Sequence, residues 1–484
     1  MGNNTASSNS FAAQTRALTR PFWAANIMEM IERLAYYGVR TVIPIYIAQA
    51  DEINGLHFTH GDKGLIFLWW ALVQSVLPVF TGGFADRYGY KKQIFIAIVL
   101  KVLGYSAMAT QREFWPFFMG CILLAAGTAV FKPPIQGTFV KTIDGTNSGV
   151  GWGYFYMVVN IGGFLGPPAA HFLYGYSWPA VFYGCAVIVS LNLFLLFTYR
   201  EVESDADKST GPWHVIALTA REIANPRLIA FILISSVFWA SYMQIFNMLP
   251  NFMVDWIDSA SIAAHLPGFM LARNHPLAPQ IAQEWVINFN PLLIIFLVAP
   301  LSWYVNRRMK RLTSITIGIL IGAFGILTVG ASMSVLTCLA GIACFSVGEM
   351  LCSPKMNEYL GVIAPRDKKA LYMGYANIPF AIGWGYGSFA GGTMYGESGE
   401  KAALAIRYLS DMLHISALPE RNSAFTFLMQ KTGLSFHDAT VLLWNTYHPW
   451  KVWIPFGAAA VVAALLMLGF GYYVRKYRWT DADA

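Results

Sequence analysis

Twelve stretches of this sequence are long and apolar enough to cross a bilayer: about 22–49, 63–84, 91–110, 114–140, 151–173, 178–198, 227–250, 287–306, 312–333, 335–363, 370–394 and 451–474. In hydrocarbon every backbone N–H and C=O needs a partner within the protein, so such segments cross as helices of about 20 residues. The chain is 56% hydrophobic and 12% charged, where a soluble domain carries about 25% charged residues. The expected class is therefore an all-α integral membrane protein. The net charge of +7 does not signal nucleic-acid binding, because membrane proteins hold Lys and Arg in cytoplasmic loops. Cys121, Cys185, Cys338, Cys344 and Cys352 all fall in apolar runs, so neither disulfides nor a zinc site are expected.

Loop charge sets the orientation. With the N-terminus inside, the cytoplasmic side gathers clusters such as Arg87, Lys91 and Lys92, then Arg307, Arg308, Lys310 and Arg311, then Arg366, Lys368 and Lys369, and finally Arg475, Lys476 and Arg478. The other side holds only scattered Lys63, Arg112, Arg273, Lys401, Arg407, Arg421, Lys431 and Lys451. Both termini are thus expected in the cytoplasm. The expected organisation is a disordered cytoplasmic tail (1–20), an N-terminal six-helix bundle (21–200), a cytoplasmic linker with an amphipathic helix (201–226) and a C-terminal six-helix bundle (227–476). Long outer loops, 251–288 and 398–449, read as packed lids with short amphipathic helices. Two six-helix bundles joined by a linker suggest alternating access to a site at mid-membrane.

The first span carries a polar stripe. Glu29, Glu32, Arg33, Tyr36, Tyr37 and Arg40 recur at spacings that put them on one helix face. Each charge costs about 2.5–3.5 kcal/mol in the middle of a bilayer. Such a stripe implies a water-filled cavity and work done there. Glu29 and Arg33 are an i, i+4 pair in the favourable order. Nothing in the sequence supports an enzyme: it has no Ser/His/Asp arrangement, metal-ligand spacing or phosphate loop.

Motifs then narrow the class. Gly82-Gly83-Phe84-Ala85-Asp86-Arg87-Tyr88-Gly89-Tyr90-Lys91-Lys92 resembles the cytoplasmic signature loop of the major facilitator superfamily. Glu29-Met30-Ile31-Glu32-Arg33-Leu34-Ala35-Tyr36-Tyr37-Gly38 resembles the Glu-x-x-Glu-Arg-Phe-x-Tyr-Tyr-Gly motif of the proton-dependent oligopeptide transporter (POT) family, with Leu34 for Phe. Further matches are Phe155-Tyr156 with Asn160 and Gly162, Gly127 with Phe131-Lys132-Pro133, Phe238-Trp239-Ala240, Asn290-Pro291, Gly348-Glu349 with Ser353-Pro354, and Met373-Gly374. The resemblance implies a major facilitator fold of twelve transmembrane helices in two six-helix bundles. It also implies a proton-coupled symporter that imports di- and tripeptides.

The resemblance further implies that Glu29, Glu32 and Arg33 couple protons, and that Lys132 and Glu349 form a gate. A substrate site would comprise Arg33, Tyr36, Tyr37, Arg40, Lys132, Asn160, Trp239, Asn290 and Glu349. Such a site offers positive charge to a peptide carboxylate, negative charge to its amine, and Asn side chains that both donate and accept. No cofactor other than the coupling proton is expected. The expected partners are a short peptide or related solute and membrane lipid, with no nucleic acid, in a monomer at the plasma membrane (a bacterial inner membrane).

Several positions depart from the family pattern. The linker is too short and polar for the two extra helices common in bacterial members. Met243 stands where an acid is expected, so Arg40 lacks its usual outer-gate partner. No Trp lies near Ala376. Span two has no His. Lys355 and Glu358 are expected to pair and are new to the site region, and Lys101 in span three has no evident partner. These departures leave two alternatives: a proton-coupled transporter of another solute (a modified peptide, an amino-acid derivative, or an organic anion favoured by Lys355), or a non-transporting sensor on the same fold.

Overall fold

The computed structural model describes residues 11–144, 147–202, 225–272, 279–363 and 375–477; Phe11 and residues 79–80, 82–84, 86–87, 148–149, 299, 302–303 and 306–307 are described by their backbone alone. Among the described residues there are twelve long helices: α1 (Arg20–Ala48), α2 (His60–Tyr88), α3 (Tyr90–Thr110), α4 (Phe114–Val140), α5 (Ser148–Tyr174), α6 (Trp178–Leu196), α7 (Pro226–Tyr242), α8 (Phe289–Arg308), α9 (Arg311–Val329), α10 (Val335–Ile363), α11 (Asn377–Ser398) and α12 (Ile454–Lys476). The only extended pairing among them is two isolated bridges, Asp258 with Ser334 and Leu271 with Ile281. Seven helices are apolar and long enough to cross a membrane on that ground alone: α3, α4, α6, α7 with its continuation to Asn247, α9, α10, and α12 with the turn before it. In α1 the four stripe charges dilute the apolar signal.

Local sequence sets several helix starts. Thr59 and Asp62 cap α2 reciprocally: Thr59 N–H and Oγ1 donate to Asp62 Oδ2 at 3.1 and 2.7 Å, and Asp62 N–H donates to Thr59 Oγ1 at 3.0 Å. Asn225 caps α7 by accepting from Arg227 N–H at 3.0 Å, with Pro226 at the first helical position, where its missing N–H costs nothing.

The chain forms two compact units, residues 1–40 with 72–222, and residues 41–71 with 223–484. In the first, Phe22 of α1 packs on Phe139 of α4 (5.6 Å between ring centroids), which packs on Phe155 of α5 (4.8 Å). In the second, Phe231 of α7 packs on Tyr359 of α10 (5.1 Å) and on Phe470 of α12 (6.0 Å). The boundary differs from the expected division after span six, because the turn joining α1 to α2 is bound by side chains of the C-terminal half. Gln49 Nε2 donates to Asp255 Oδ1 at 2.8 Å, and Lys63 Nζ donates to Asn251 Oδ1 at 2.7 Å. Gln283 Nε2 and Asn251 Nδ2 donate to the carbonyls of Thr41 and Pro44, both at 3.2 Å. Pro44 interrupts the hydrogen-bond ladder of α1 there.

Where a disordered tail was expected, Phe11–Arg16 is a short helix with Thr15 Oγ1 3.4 Å from the Tyr154 hydroxyl, and Leu18 is buried. The expected linker helix (Trp213 to Ile223) and Met373-Gly374 lie outside the described residues, as do the side chains of Phe84, Asp86 and Arg87 in the signature loop. In the two long loops, 251–288 and 398–449, the chain forms short helices, among them Ala260–Ala263, Gln283–Ile287, Lys401–Asp411, Ala424–Thr432 and Phe436–Tyr447.

Helix α1 meets α5 through glycine. A Cβ on Gly166 would stand 2.7 Å from both Leu34 O and Gly38 N. Contacts that close leave no room for a side chain, and they let the two backbones touch beside the stripe. Gly166→Leu is therefore expected to lower the melting temperature, by the equivalent of about 1–3 kcal/mol of overpacking. Gly469→Leu, where an added Cβ meets nothing within 4 Å, should leave it unchanged. Differential scanning fluorimetry of the two variants in one detergent checks the contrast.

Candidate functional site

The stripe of α1 is a compact ionic cluster. Arg33 Nε lies 3.1 Å from Glu29 Oε1, and Arg33 Nη2 lies 2.5 Å from Glu32 Oε2. Glu32 is fully buried, and Glu29 and Arg40 nearly so. The Arg33 guanidinium lies 5.2 Å from the Tyr36 ring centroid and 6.0 Å from that of Tyr37, and the two rings meet edge to face at 5.4 Å. A planar guanidinium can serve two carboxylates and an aromatic face together, which an ammonium cannot. The Tyr36 hydroxyl hydrogen-bonds Arg40 and also Gln74 of α2. Arg40 therefore has a partner, although Met243, where an acid was expected, is a buried apolar side chain.

Lys101 corrects the sequence reading, which gave it no partner. Its ammonium donates to Glu32 Oε1 and is itself almost fully buried. Two features of α4 build the space for it. Phe131 covers the ammonium at 5.0 Å from the ring centroid, and a Cβ on Gly127 would stand 2.6 Å from Lys101 Cγ. Glu32 thus answers to two cations, Arg33 on its own helix and Lys101 on α3. A buried carboxylate with a cation on each oxygen satisfies the rule that buried charges be paired. Lys132 follows Phe131 with an exposed side chain. Asn160 of α5 is half-buried and donates to Tyr156 O of its own helix at 2.7 Å.

The C-terminal unit holds a second polar group. Asn290 of α8 donates to Glu349 Oε2 at 3.0 Å and to Ser346 Oγ at 2.9 Å, both on α10. The Tyr242 hydroxyl of α7 also hydrogen-bonds Glu349. Three helices thus converge on one carboxylate. Asn290, expected as a substrate ligand, thus gives one amide hydrogen to Glu349 and one to Ser346. Trp239 stands edge to face against Phe380 of α11 at 4.9 Å and 86°, and against Tyr242 at 4.9 Å. Tyr242 and Ser346 went unnoticed in the sequence. The one available signal was that Tyr242 lies three residues beyond Trp239, which places both on one face of α7.

Lys355 and Glu358 pair as expected, at 2.5 Å, but Arg311 Nε also reaches Glu358, at 2.6 Å. Arg311, the first residue of α9, thereby ties that helix to the end of α10. Two cations thus meet one carboxylate there, leaving one net positive charge at this end of α10.

The family model of the Major Facilitator Superfamily matches residues 26–388. Over 328 residues the chain is 24% identical to "Multidrug resistance protein MdtH" of Edwardsiella ictaluri, covering 67% of this chain and 75% of that protein. The protein of the same name in Yersinia enterocolitica matches to the same extent. Among solved structures, a POT family transporter in complex with 5-aminolevulinic acid superimposes with a TM-score of 0.68 at 16% identity, covering 93% of this chain and 96% of that one. A peptide transporter POT in complex with sulfate gives 0.66 at 18% identity, covering 94% and 95%. At such identities these two likenesses concern the fold.

Proposed function

We propose, from the premise that this chain belongs to the major facilitator superfamily and is a membrane transporter rather than an enzyme, that it imports di- and tripeptides together with protons by alternating access. One observation carries the reading: Arg33 is shared between Glu29 and Glu32 in a nearly buried cluster. A solute carboxylate arriving at Arg33 competes with those two acids for the same guanidinium. A carboxylate that loses its cation in a poorly solvated site gains a proton more readily. Binding of solute and binding of proton would then favour each other, which is the thermodynamic content of symport.

In this reading Arg33 and Lys132 face the peptide carboxylate, and Glu349, held by Asn290 and Tyr242, faces the amine. Tyr36, Tyr37, Arg40, Asn160 and Trp239 shape the rest, and Lys132 and Glu349 gate the path. The protein works as a monomer in a bacterial inner membrane with both termini in the cytoplasm, and its coupling ion is the proton. The bound 5-aminolevulinic acid of one structural neighbour fits such a polarity, since that molecule also has a carboxylate at one end and an amine at the other.

The name of the sequence relatives supports a second reading, export of a drug-like solute against proton entry. Proteoliposomes separate the two. Under an inward proton gradient, labelled dialanine should accumulate inside and leave again when a protonophore is added. Proton-driven expulsion of ethidium, with no dialanine accumulation, would transfer the assignment to drug export. If neither solute moves but dialanine binds, transport itself is refuted in favour of a sensor.

A further inference from the structure

The end of the second unit that holds the α1–α2 turn is covered by residues 401–447, three short helices (Lys401–Asp411, Ala424–Thr432 and Phe436–Tyr447) that the transport reading does not use. Arg421 joins this cap to the turn. Arg421 Nη2 donates to Ala48 O, the last residue of α1, at 2.6 Å. Its Nη1 donates to Phe58 O at 2.9 Å and to His57 O at 3.2 Å. Its Nε donates to Glu400 Oε1 at 2.6 Å. All three nitrogens of the fork are therefore engaged, on two ends of one turn and on a buried carboxylate. No other side chain has the donors for this, and a cation is well placed at a helix C-terminus. Within the turn Asn54 and His57 sit at φ of 61° and 56°, a conformation held only where the surroundings fix it.

A second layer lies beneath. Asp255 accepts from Gln49 at 2.8 Å, from the Tyr395 hydroxyl at 2.6 Å and from Lys401 N–H at 3.2 Å. Lys63 donates to Asn251 and, at 3.0 Å, to Asn247 O.

We propose that Arg421 and Glu400 are the tie of an outer gate. They strap the α1–α2 turn to the cap, hold the tip of that hairpin with the C-terminal half, and must part whenever the tip moves away from it. The gate is independent of the solute carried.

The tie also responds to pH. Burial pushes Glu400 up to about 7; Arg421 opposes the rise, Asp255 adds to it and Lys63 opposes it. Burial also raises Asp255, against Lys401 and with a push from Asp51. The other groups facing Glu400 are Tyr395 of α11 and His60 of α2, whose Nε2 lies 3.7 Å away. Burial first, and then the cations Lys63 and Arg421, disfavour a proton on His60. The sign follows from linkage. With the cap seated, Glu400 holds its proton up to about pH 7, whereas once exposed to water it returns towards its ordinary value of about 4.3. Acid therefore seats the cap, and a rise of pH through 7 loosens it. Closure of this gate takes up a proton.

Hydrogen exchange of the full chain in lipid nanodiscs, with labelling times scaled for intrinsic rates, tests this. Between about pH 8 and about pH 5.5, protection of the turn 49–59 and of the cap should rise roughly tenfold as Glu400 protonates. Arg421→Gln should remove protection from turn and cap together at both pH values and leave α3 and α4 as they were. Glu400→Gln should keep the protection and abolish its pH dependence. If Arg421→Gln loosens the cap alone, the tie does not exist. If Glu400→Gln keeps the pH dependence, the proton binds elsewhere. Should Arg421→Gln lose protection everywhere, Arg421→Lys, which keeps the charge without the fork, decides between the same two outcomes in the same segments.

Discussion

Lys101→Met is expected to destabilise the protein by about 3 kcal/mol, the lower end of the loss seen when one partner of a buried ion pair is removed. Lys101 is almost fully buried and Glu32 completely so, and Lys101 supplies one of Glu32's two cations. Methionine fills most of the volume of the lysine stem, so the loss is electrostatic rather than a cavity. Arg33 stays in place and holds the cost to the lower end. A double substitution, Lys101→Met with Glu32→Gln, should recover most of the loss, because no unpaired charge then remains. A thermodynamic cycle from detergent unfolding curves should give a coupling of roughly 1–3 kcal/mol between the two positions. Gly127→Ala should push in the same direction more weakly, since its Cβ would crowd the stem of Lys101. Additive single and double variants would mean that Glu32 carries no charge in the folded protein.

Much of this arrangement was legible in the sequence. A carboxylate or guanidinium inside an apolar segment is costly, so Glu29, Glu32, Arg33 and Arg40 marked a polar face on α1. Their i, i+3 and i+4 spacings put them on one face of the helix. The twelve long helices likewise follow from apolar runs, which have no other way to satisfy their backbone. What stayed hidden were pairings between helices. Lys101 looked isolated because nothing in α3 says that α1 and α4 are its neighbours, and Gly127 gains meaning only once it is seen to clear the lysine stem. The assignment of residues 41–71 to the second unit depends on Gln49 and Lys63 meeting Asp255 and Asn251, partners roughly two hundred positions away. No local pattern encodes such a contact. Tyr242 was lost among aromatics that make up 15% of the chain, most of which pack. Asn290 was noticed, but its neighbours decide whether an amide meets solute or orients a carboxylate, and here both its donors go to α10.

Glu32→Gln is expected to abolish concentrative uptake while sparing exchange. A pH gradient of one unit supplies about 1.4 kcal/mol per proton, enough for about tenfold accumulation of dialanine at one proton per solute. That energy reaches the solute only if a proton rides with it. Glutamine keeps the shape of Glu32 and can hydrogen-bond, but it neither takes nor gives a proton and cannot compete for Arg33 as a charge. In proteoliposomes the ratio of dialanine inside to outside should therefore fall to about one whatever the pH difference. Counterflow, in which unlabelled dialanine inside draws labelled dialanine in, needs only that the site be reachable from each side in turn, and it should continue. Arg33→Lys gives the complementary loss. A single ammonium cannot hold Glu29 and Glu32 and still present a planar fork to a solute carboxylate. Giving up one charge-assisted contact of roughly 1.5–3 kcal/mol should raise the half-saturating dialanine concentration by roughly ten- to a hundredfold, in exchange and in driven uptake alike. The two variants thus separate coupling from binding. Glu32→Gln proteoliposomes that still accumulate dialanine in proportion to the gradient would remove Glu32 from the proton path and leave Glu29 as the acid to test.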